Sequence, residues 1–159
     1  MPRATRFFAD GRLPRSERAE LEDYKGSGFD KGHMAPAGDM VNPESMAQSF
    51  SLANMVPQYP QNNRKSWVSI EKATRKYVAR AVGDVYVITG PIFNQAPQMI
   101  GPNHVWVPSY LFKLIYDPST RRAWAYWHQN ANNVRVEKPI SYAELKRRTG
   151  IDFLPGIDP

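Results

Sequence analysis

Residues 30–40 read DKGHMAPAGDM and residues 54–71 read NMVPQYPQNNRKSWVSIE, and these two blocks decide how the rest of the chain is read. The first is a short strand or extended turn, FDKGHMAP, that stops at proline. The second runs into residues 63–81, NRKSWVSIEKATRKYVARA, the longest helical pattern in the chain. Trp67, Ile70, Tyr77, Val78 and Ala81 recur there at helical spacing and form one apolar stripe. At about 100° per residue, Asn63 and Trp67 lie within the sector of that stripe, Glu71 at its edge and Arg75 just beyond it. Polar groups in that sector face a cleft wall.

Upstream, Ser16 offers an N-cap to SERAELEDY, a short helix that Gly26 and Gly28 end. Asn42, with Pro43 at the first helical position, starts a brief helix through Gln48. Downstream, VYVITGPIF is β-branched and apolar and closes in Gly-Pro, the pattern of a strand and turn. VWVPSYLFKLIYD and RAWAYWHQN read as two more strands. Ser141 and Glu144 make a capping box for the helix YAELKRRTG, which stops at Gly150. With no repeat, low-complexity tract or Gly/Ser linker, the expectation is a single α+β domain over residues 1–159 with antiparallel strands.

The totals agree. A chain of 159 residues can bury a sizeable core alone. Lys and Arg exceed Asp and Glu by 21 to 15, a formal charge of +6, which favours a polyanionic partner. There is no cysteine, so disulfides, zinc-thiolate sites and thiol nucleophiles are excluded, and any metal must take N and O ligands. No apolar run approaches the roughly 20 residues of a membrane span, and the first residues hold no signal-peptide core.

Hydrolysing a phosphodiester requires a nucleophile made from water, neutralisation of a doubly charged phosphorane and a stabilised leaving oxygen. His33 suits the first task, because an imidazole with the ordinary value of about 6.5 is largely neutral near pH 8 and accepts a proton. Taken alone, a histidine in a short strand is more often packing or turn chemistry. The basic runs RKSW, RKYVAR and KRR alternate with aromatics, which suits a surface that tracks phosphates. His104 and His128 read as structural or surface residues.

DKGHMAPAGDM resembles the D-R-G-H-x-A-P signature of the nonspecific DNA/RNA endonuclease family, the ββα-metal nucleases of the endonuclease G and secreted bacterial type. NMVPQYPQNNRKSWVSIE is similar to that family's N-x-x-P-Q…N…W…E pattern with its intervals intact. GDVYVITGPIF and VPSYLFKLIYD resemble its next strands, so nearly the whole chain is covered. The resemblance implies an antiparallel sheet core with a ββα-metal finger active site. It also implies a sequence-nonspecific, Mg2+-dependent endonuclease (Mn2+ being the alternative ion) that cuts DNA and RNA to 5′-phosphate products.

Carried over residue by residue, His33 is the general base and Asn63 the sole protein ligand of the metal, with Asn62 the alternative register. Locally, Asn62-Asn63 also reads as an N-cap pair. Glu71 orients metal-bound water, and Asn54 supports the site or caps a loop. Arg75 pairs with Glu71 at i,i+4 or binds phosphate. Arg3, or Arg6 in its place, is the upstream phosphate-binding arginine. Asp30 positions the loop. Lys31 departs from the family's arginine, keeping the charge but losing the planar fork. The family further suggests a secreted or periplasmic setting and an inhibitor or immunity protein as partner. Two other readings are a noncatalytic nucleic-acid-binding module on the same scaffold and a toxin domain of a larger effector.

Overall fold

The two blocks pair with each other. In the computed structural model, which describes residues 1–4 and 6–159, helix α1 (Leu21–Tyr24) leads to strand β1 (Asp30–His33), helix α2 (Pro43–Gln48) and strand β2 (Met55–Gln58). β1 and β2 run antiparallel, with Asp30 opposite Gln58 and His33 opposite Met55. Gly32 makes this close approach feasible, because a Cβ there would fall 2.2 Å from the Gln58 side chain. From β2 the chain enters a π-helical turn, Asn62–Ser66, that continues as α3 (Trp67–Arg80). Two strands and a helix thus bring the two sequence blocks into one ββα unit.

The remainder supplies the platform. β3 (Tyr86–Ile92), β4 (Met99–Ile100), β5 (Val105–Trp106), β6 (Tyr110–Asp117), β7 (Arg122–Gln129) and β8 (Ile140–Ser141) precede the last helix, α4 (Tyr142–Thr149). A four-stranded antiparallel sheet has the order β3-β6-β7-β8. Its central strand β6 is covered on both faces, which explains its almost unbroken apolar run. Leu111 packs with Trp67 and Ile70 of α3 and with Met34 and Val56 of the hairpin. Phe112 and Leu114, pointing the other way by the alternation of a strand, pack with Tyr142 and Leu145 of α4. The α+β expectation holds, and α3 is fixed against the sheet beneath the hairpin.

Local readings change in four places. The stretch 16–24 is not one helix from Ser16. It is a 3-10 turn (Arg15–Glu17) and then α1, whose N-cap is Glu20 in a reciprocal box with Asp23. Arg18 lies extended between them, its guanidinium held by Glu20 at 2.7 Å. Residues 105–117 form two strands, because Pro108 has no N–H to continue a ladder. The Ser141 hydroxyl does cap α4, accepting from Glu144 N–H at 3.1 Å, but the Glu144 carboxylate turns to Arg147 and Arg148 instead of completing the box. Neither Asn62 nor Asn63 acts as an N-cap, since the helix opens at Gln61 with no side-chain cap.

Candidate active site

Where β1, the turn after it and the first turns of α3 meet, a cavity of about 610 Å³ opens. Arg3, Lys31, His33, Asn63, Glu71 and Arg75 all line it. Arg6 does not line it, so of the two upstream arginines Arg3 reaches the site.

His33 ends β1 and is 8% exposed. Its ring stands edge-on to Phe50, with centroids 4.6 Å apart, and tilts against Phe7. Burial first, and the Arg3 charge second, push its pKa down to about 4, because both disfavour the imidazolium. The ring is therefore neutral at neutral pH. Its Nε2 is enclosed without a hydrogen-bond partner, which leaves Nδ1 as the nitrogen for the cavity. The turn beyond His33 is fastened from across the hairpin. Asn54 Oδ1 accepts from Ala35 N–H at 3.0 Å, and its Nδ2 donates to Ala35 O at 3.0 Å and Ser49 O at 2.9 Å. Asn54 lies outside the cavity lining, so its contact with the site runs through this turn.

The π-turn separates the two asparagines. Asn62 is fully buried; its amide donates to Gln58 Oε1 and Asn130 Oδ1, each at 3.2 Å, and accepts from Ser66 Oγ at 3.1 Å. Asn63 faces the cavity, and its Nδ2 donates to Asp30 Oδ2 at 2.9 Å. With the NH2 end held by a carboxylate, the oxygen end is turned away from Asp30 and makes no hydrogen bond among the described residues. Asp30 in turn receives a fork from Arg64 at 2.8 and 2.9 Å. Asp30 therefore orients the Asn63 amide, and its carboxylate makes no hydrogen bond within its own loop among the described residues, unlike the expectation that it positions that loop.

Glu71 lies two turns along the same helix. Burial raises its pKa; the Lys113 charge opposes that rise, Asp39 adds to it, and Arg75 and Arg3 oppose it less strongly. Arg75 does not pair with Glu71 at i,i+4. Its Nε donates to Asp39 Oδ1 at 2.8 Å, and its guanidinium lies against Gly38, where a Cβ would come within 2.5 Å of Nη2. The Lys31 ammonium stands 4.6 Å from the Phe7 ring centroid and 5.9 Å from that of Tyr24, contacts that fix a flexible side chain through cation–π attraction.

Among the described residues, no three His, Cys, Asp or Glu side chains gather as a metal cage. What the cavity offers is hard oxygen: the free Asn63 Oδ1 and the carboxylates of Asp30 and Glu71. That donor set fits Mg2+ or Mn2+, ions that accept few protein oxygens and keep their waters. Lys113, Asn130 and His128, all buried beneath the site, were not among the residues the sequence motifs marked for function; a histidine and an asparagine at the end of a strand, and a lysine within an apolar run, carry no local signature.

The DNA/RNA non-specific endonuclease family profile matches residues 2–159. The mitochondrial nuclease EXOG of Danio rerio is 34% identical over 172 residues, covering 96% of this chain and 50% of its own length. Mitochondrial endonuclease G of Bos taurus is 38% identical over 120 residues, covering 69% of this chain and 40% of its own length. The chain thus spans about half the length, or less, of these curated relatives. A crystal structure of the EndoG/EndoGI complex, solved to explain EndoG inhibition, superposes with a TM-score of 0.79 at 28% identity, covering 91% of this chain and 66% of that one. Both curated relatives are mitochondrial, which lends the secreted or periplasmic expectation no support. No helix among the described residues is long and apolar enough to cross a membrane.

Proposed function

This chain belongs to the DNA/RNA non-specific endonuclease family, and from that premise we propose that residues 1–159 act as one metal-dependent endonuclease domain that hydrolyses phosphodiester bonds in DNA and RNA. The observation that carries this reading is that the imidazole of His33 lines the same cleft as a free Asn63 amide oxygen. Cations from three separate segments surround the pair.

His33 accepts a proton from water at Nδ1 while the proton on Nε2 stays inside the aromatic pocket, and the resulting hydroxide attacks phosphorus in line with the leaving 3′-oxygen. Hydrolysis in that direction leaves 5′-phosphate ends. Lys31, Arg75 and Arg3 hold the nonbridging phosphate oxygens and meet the charge that grows on them. Asn63 Oδ1 would hold the divalent ion, with Mg2+ the choice its oxygen donors suit best. When bound, that ion supplies Lewis-acid neutralisation of the phosphorane and of the leaving oxygen. Glu71, as a carboxylate, accepts hydrogen bonds from water around Asn63 and fixes its orientation. Asn54 keeps the turn after His33 in register. Contacts confined to phosphate and sugar account for low sequence preference, because base edges carry the specificity.

A macromolecular inhibitor that occludes the cationic cavity is the partner this reading adds, in line with the inhibited complex of the structural neighbour. The direct test is His33→Ala: DNA still binds while cleavage falls by the roughly 10²–10⁴-fold that a general base contributes. Wild-type rates in that variant would remove His33 from the mechanism.

A further inference from the structure

The backbone that carries Asn63 departs from a regular helix at that residue. Asn63 N–H donates to Tyr59 O at α-helical spacing, but Trp67 N–H donates to Asn62 O, five residues back, where an α-helix would use Asn63 O. Such a widened turn takes in one residue more than an α-turn. It is rare, and it is found mostly as a single turn within an α-helix, frequently at a functional site. Relaxing it to an α-turn would rotate the residues before it by about 100° relative to the rest of α3. Asn63 would then leave the cavity that Glu71 and Arg75, further along the helix, continue to line. No side chain caps the turn, so its hold comes from contacts with other parts of the chain.

A string of buried side chains supplies that hold, and its direction is fixed from one end. Asn130 Nδ2 donates to the carbonyls of Pro57 and Pro108, at 3.0 and 2.9 Å. Carbonyls only accept, so Asn130 Oδ1 is the atom that receives Asn62 Nδ2 at 3.2 Å. The Asn62 oxygen therefore faces Ser66, whose single hydroxyl proton goes to it at 3.1 Å. With that proton committed, Ser66 Oγ can only accept from His128 Nε2, 2.9 Å away on β7. Asn62 opens the turn, Ser66 ends it, and both are tied to the end of one strand of the sheet. Resting on the reading of Asn63 as the metal ligand, we infer that His128 is a positioning residue: by donating through Ser66 to Asn62 it pins the π-turn that directs Asn63 into the cavity. The His128 ring also stacks on Trp67, with centroids 6.3 Å apart, a contact separable from the string by substitution.

Two variants cut the string at different places. His128→Phe removes the donor and keeps a ring against Trp67; if overpacking prevents folding, the smaller His128→Leu takes its place. Ser66→Ala removes the hydroxyl and leaves the histidine. In metal-free protein the Asn63 side-chain amide, followed by nitrogen-15 NMR, should shift in both variants. Its protons should exchange with solvent about tenfold faster, the equilibrium weight of one buried hydrogen bond. The Asn54 side-chain amide, held across the hairpin by Ala35 and Ser49, should exchange as in wild type. His128→Gln, whose amide can donate from where Nε2 stands, should restore the Asn63 signal. Mn2+ alone, followed by electron paramagnetic resonance without nucleic acid, should bind about tenfold more weakly to the first two variants than to wild type. An Asn63 amide unmoved in either of those variants, or an Asn54 amide loosened to the same degree, overturns the inference. If wild type and Asn63→Ala bind Mn2+ equally, the metal reading of Asn63 fails, and the amide signals, read without metal, still decide the role of His128.

Discussion

Asn54 grips Ala35 with both ends of its amide, accepting from its N–H and donating to its carbonyl, each at 3.0 Å. The grip spans the hairpin and fixes the turn two residues beyond the candidate base. Asn54→Ala removes it and also strips the Ser49 carbonyl of its donor. The expected cost is about 1–3 kcal/mol of stability, seen as a lower thermal midpoint, together with a fall in cleavage rate of about tenfold or more as His33 loosens. A variant with wild-type stability and rate would show that the turn holds itself.

Acid affects this protein in two ways. In the proposed mechanism cleavage needs His33 neutral and Glu71 ionised, so the rate should rise with pH as each loses its proton. Because His33 is pushed down to about 4, it does not limit activity near its ordinary value of about 6.5. The pH–rate profile should therefore show its acid limb below the ordinary histidine value, with Glu71, which burial raises, contributing to it. An acid limb centred at the ordinary histidine value would contradict this.

Stability follows from the same shift. Between about 4 and about 6.5 the unfolded chain protonates its histidine while the folded one keeps His33 neutral. The unfolded state then binds more protons, so stability rises with pH across that window, is complete above it and is lost as pH falls through it. His33→Asn, which cannot titrate, should lose less stability on acidification than wild type. Parallel loss in both proteins would mean that other titratable groups, His128 among them, account for the whole slope.

Arg75 and Gly38 give a way to disturb substrate contact without touching the base. A Cβ at position 38 would lie 2.5 Å from Arg75 Nη2, and the exposed guanidinium can swing away at little cost to the fold. Gly38→Ala should raise KM for nucleic acid several-fold while leaving the thermal midpoint close to wild type. Unchanged KM would argue that Arg75 does not bind phosphate.

Lys31 is held over Phe7 and Tyr24. Lys31→Arg keeps the cation and adds a planar fork, so its rate should equal or exceed that of wild type. A loss beyond tenfold, about 1.4 kcal/mol, would count against a phosphate role for this position.

The ββα unit was legible because its chemistry-bearing residues sit at fixed intervals in two short blocks. Strand β2 was not, since Pro57 lacks the N–H of a ladder residue; it is tolerated opposite Lys31 in a two-stranded ribbon. Adjacent residues on a helix differ by about 100° in direction, so the choice between Asn62 and Asn63 waited on contacts from elsewhere in the chain. Asn130, 68 residues on, claims Asn62, and Asp30, 33 residues back, claims Asn63. Arg75 likewise takes Asp39, 36 residues distant, over the neighbour that helical spacing offers. Lys113 lay hidden in an apolar strand because burial on both faces is a property of the packed sheet.

Metal-assisted hydrolysis in this protein rests, as proposed, on Asn63 and His33. The most direct test is incubation of the purified protein with supercoiled plasmid and with a structured RNA, in Mg2+ and in EDTA, beside Asn63→Ala. Both substrates should be degraded in Mg2+, neither in EDTA, and little of either by the variant. A wild type that retards DNA on a gel yet cuts nothing in Mg2+ or Mn2+ would contradict it and favour a noncatalytic binding module on this scaffold.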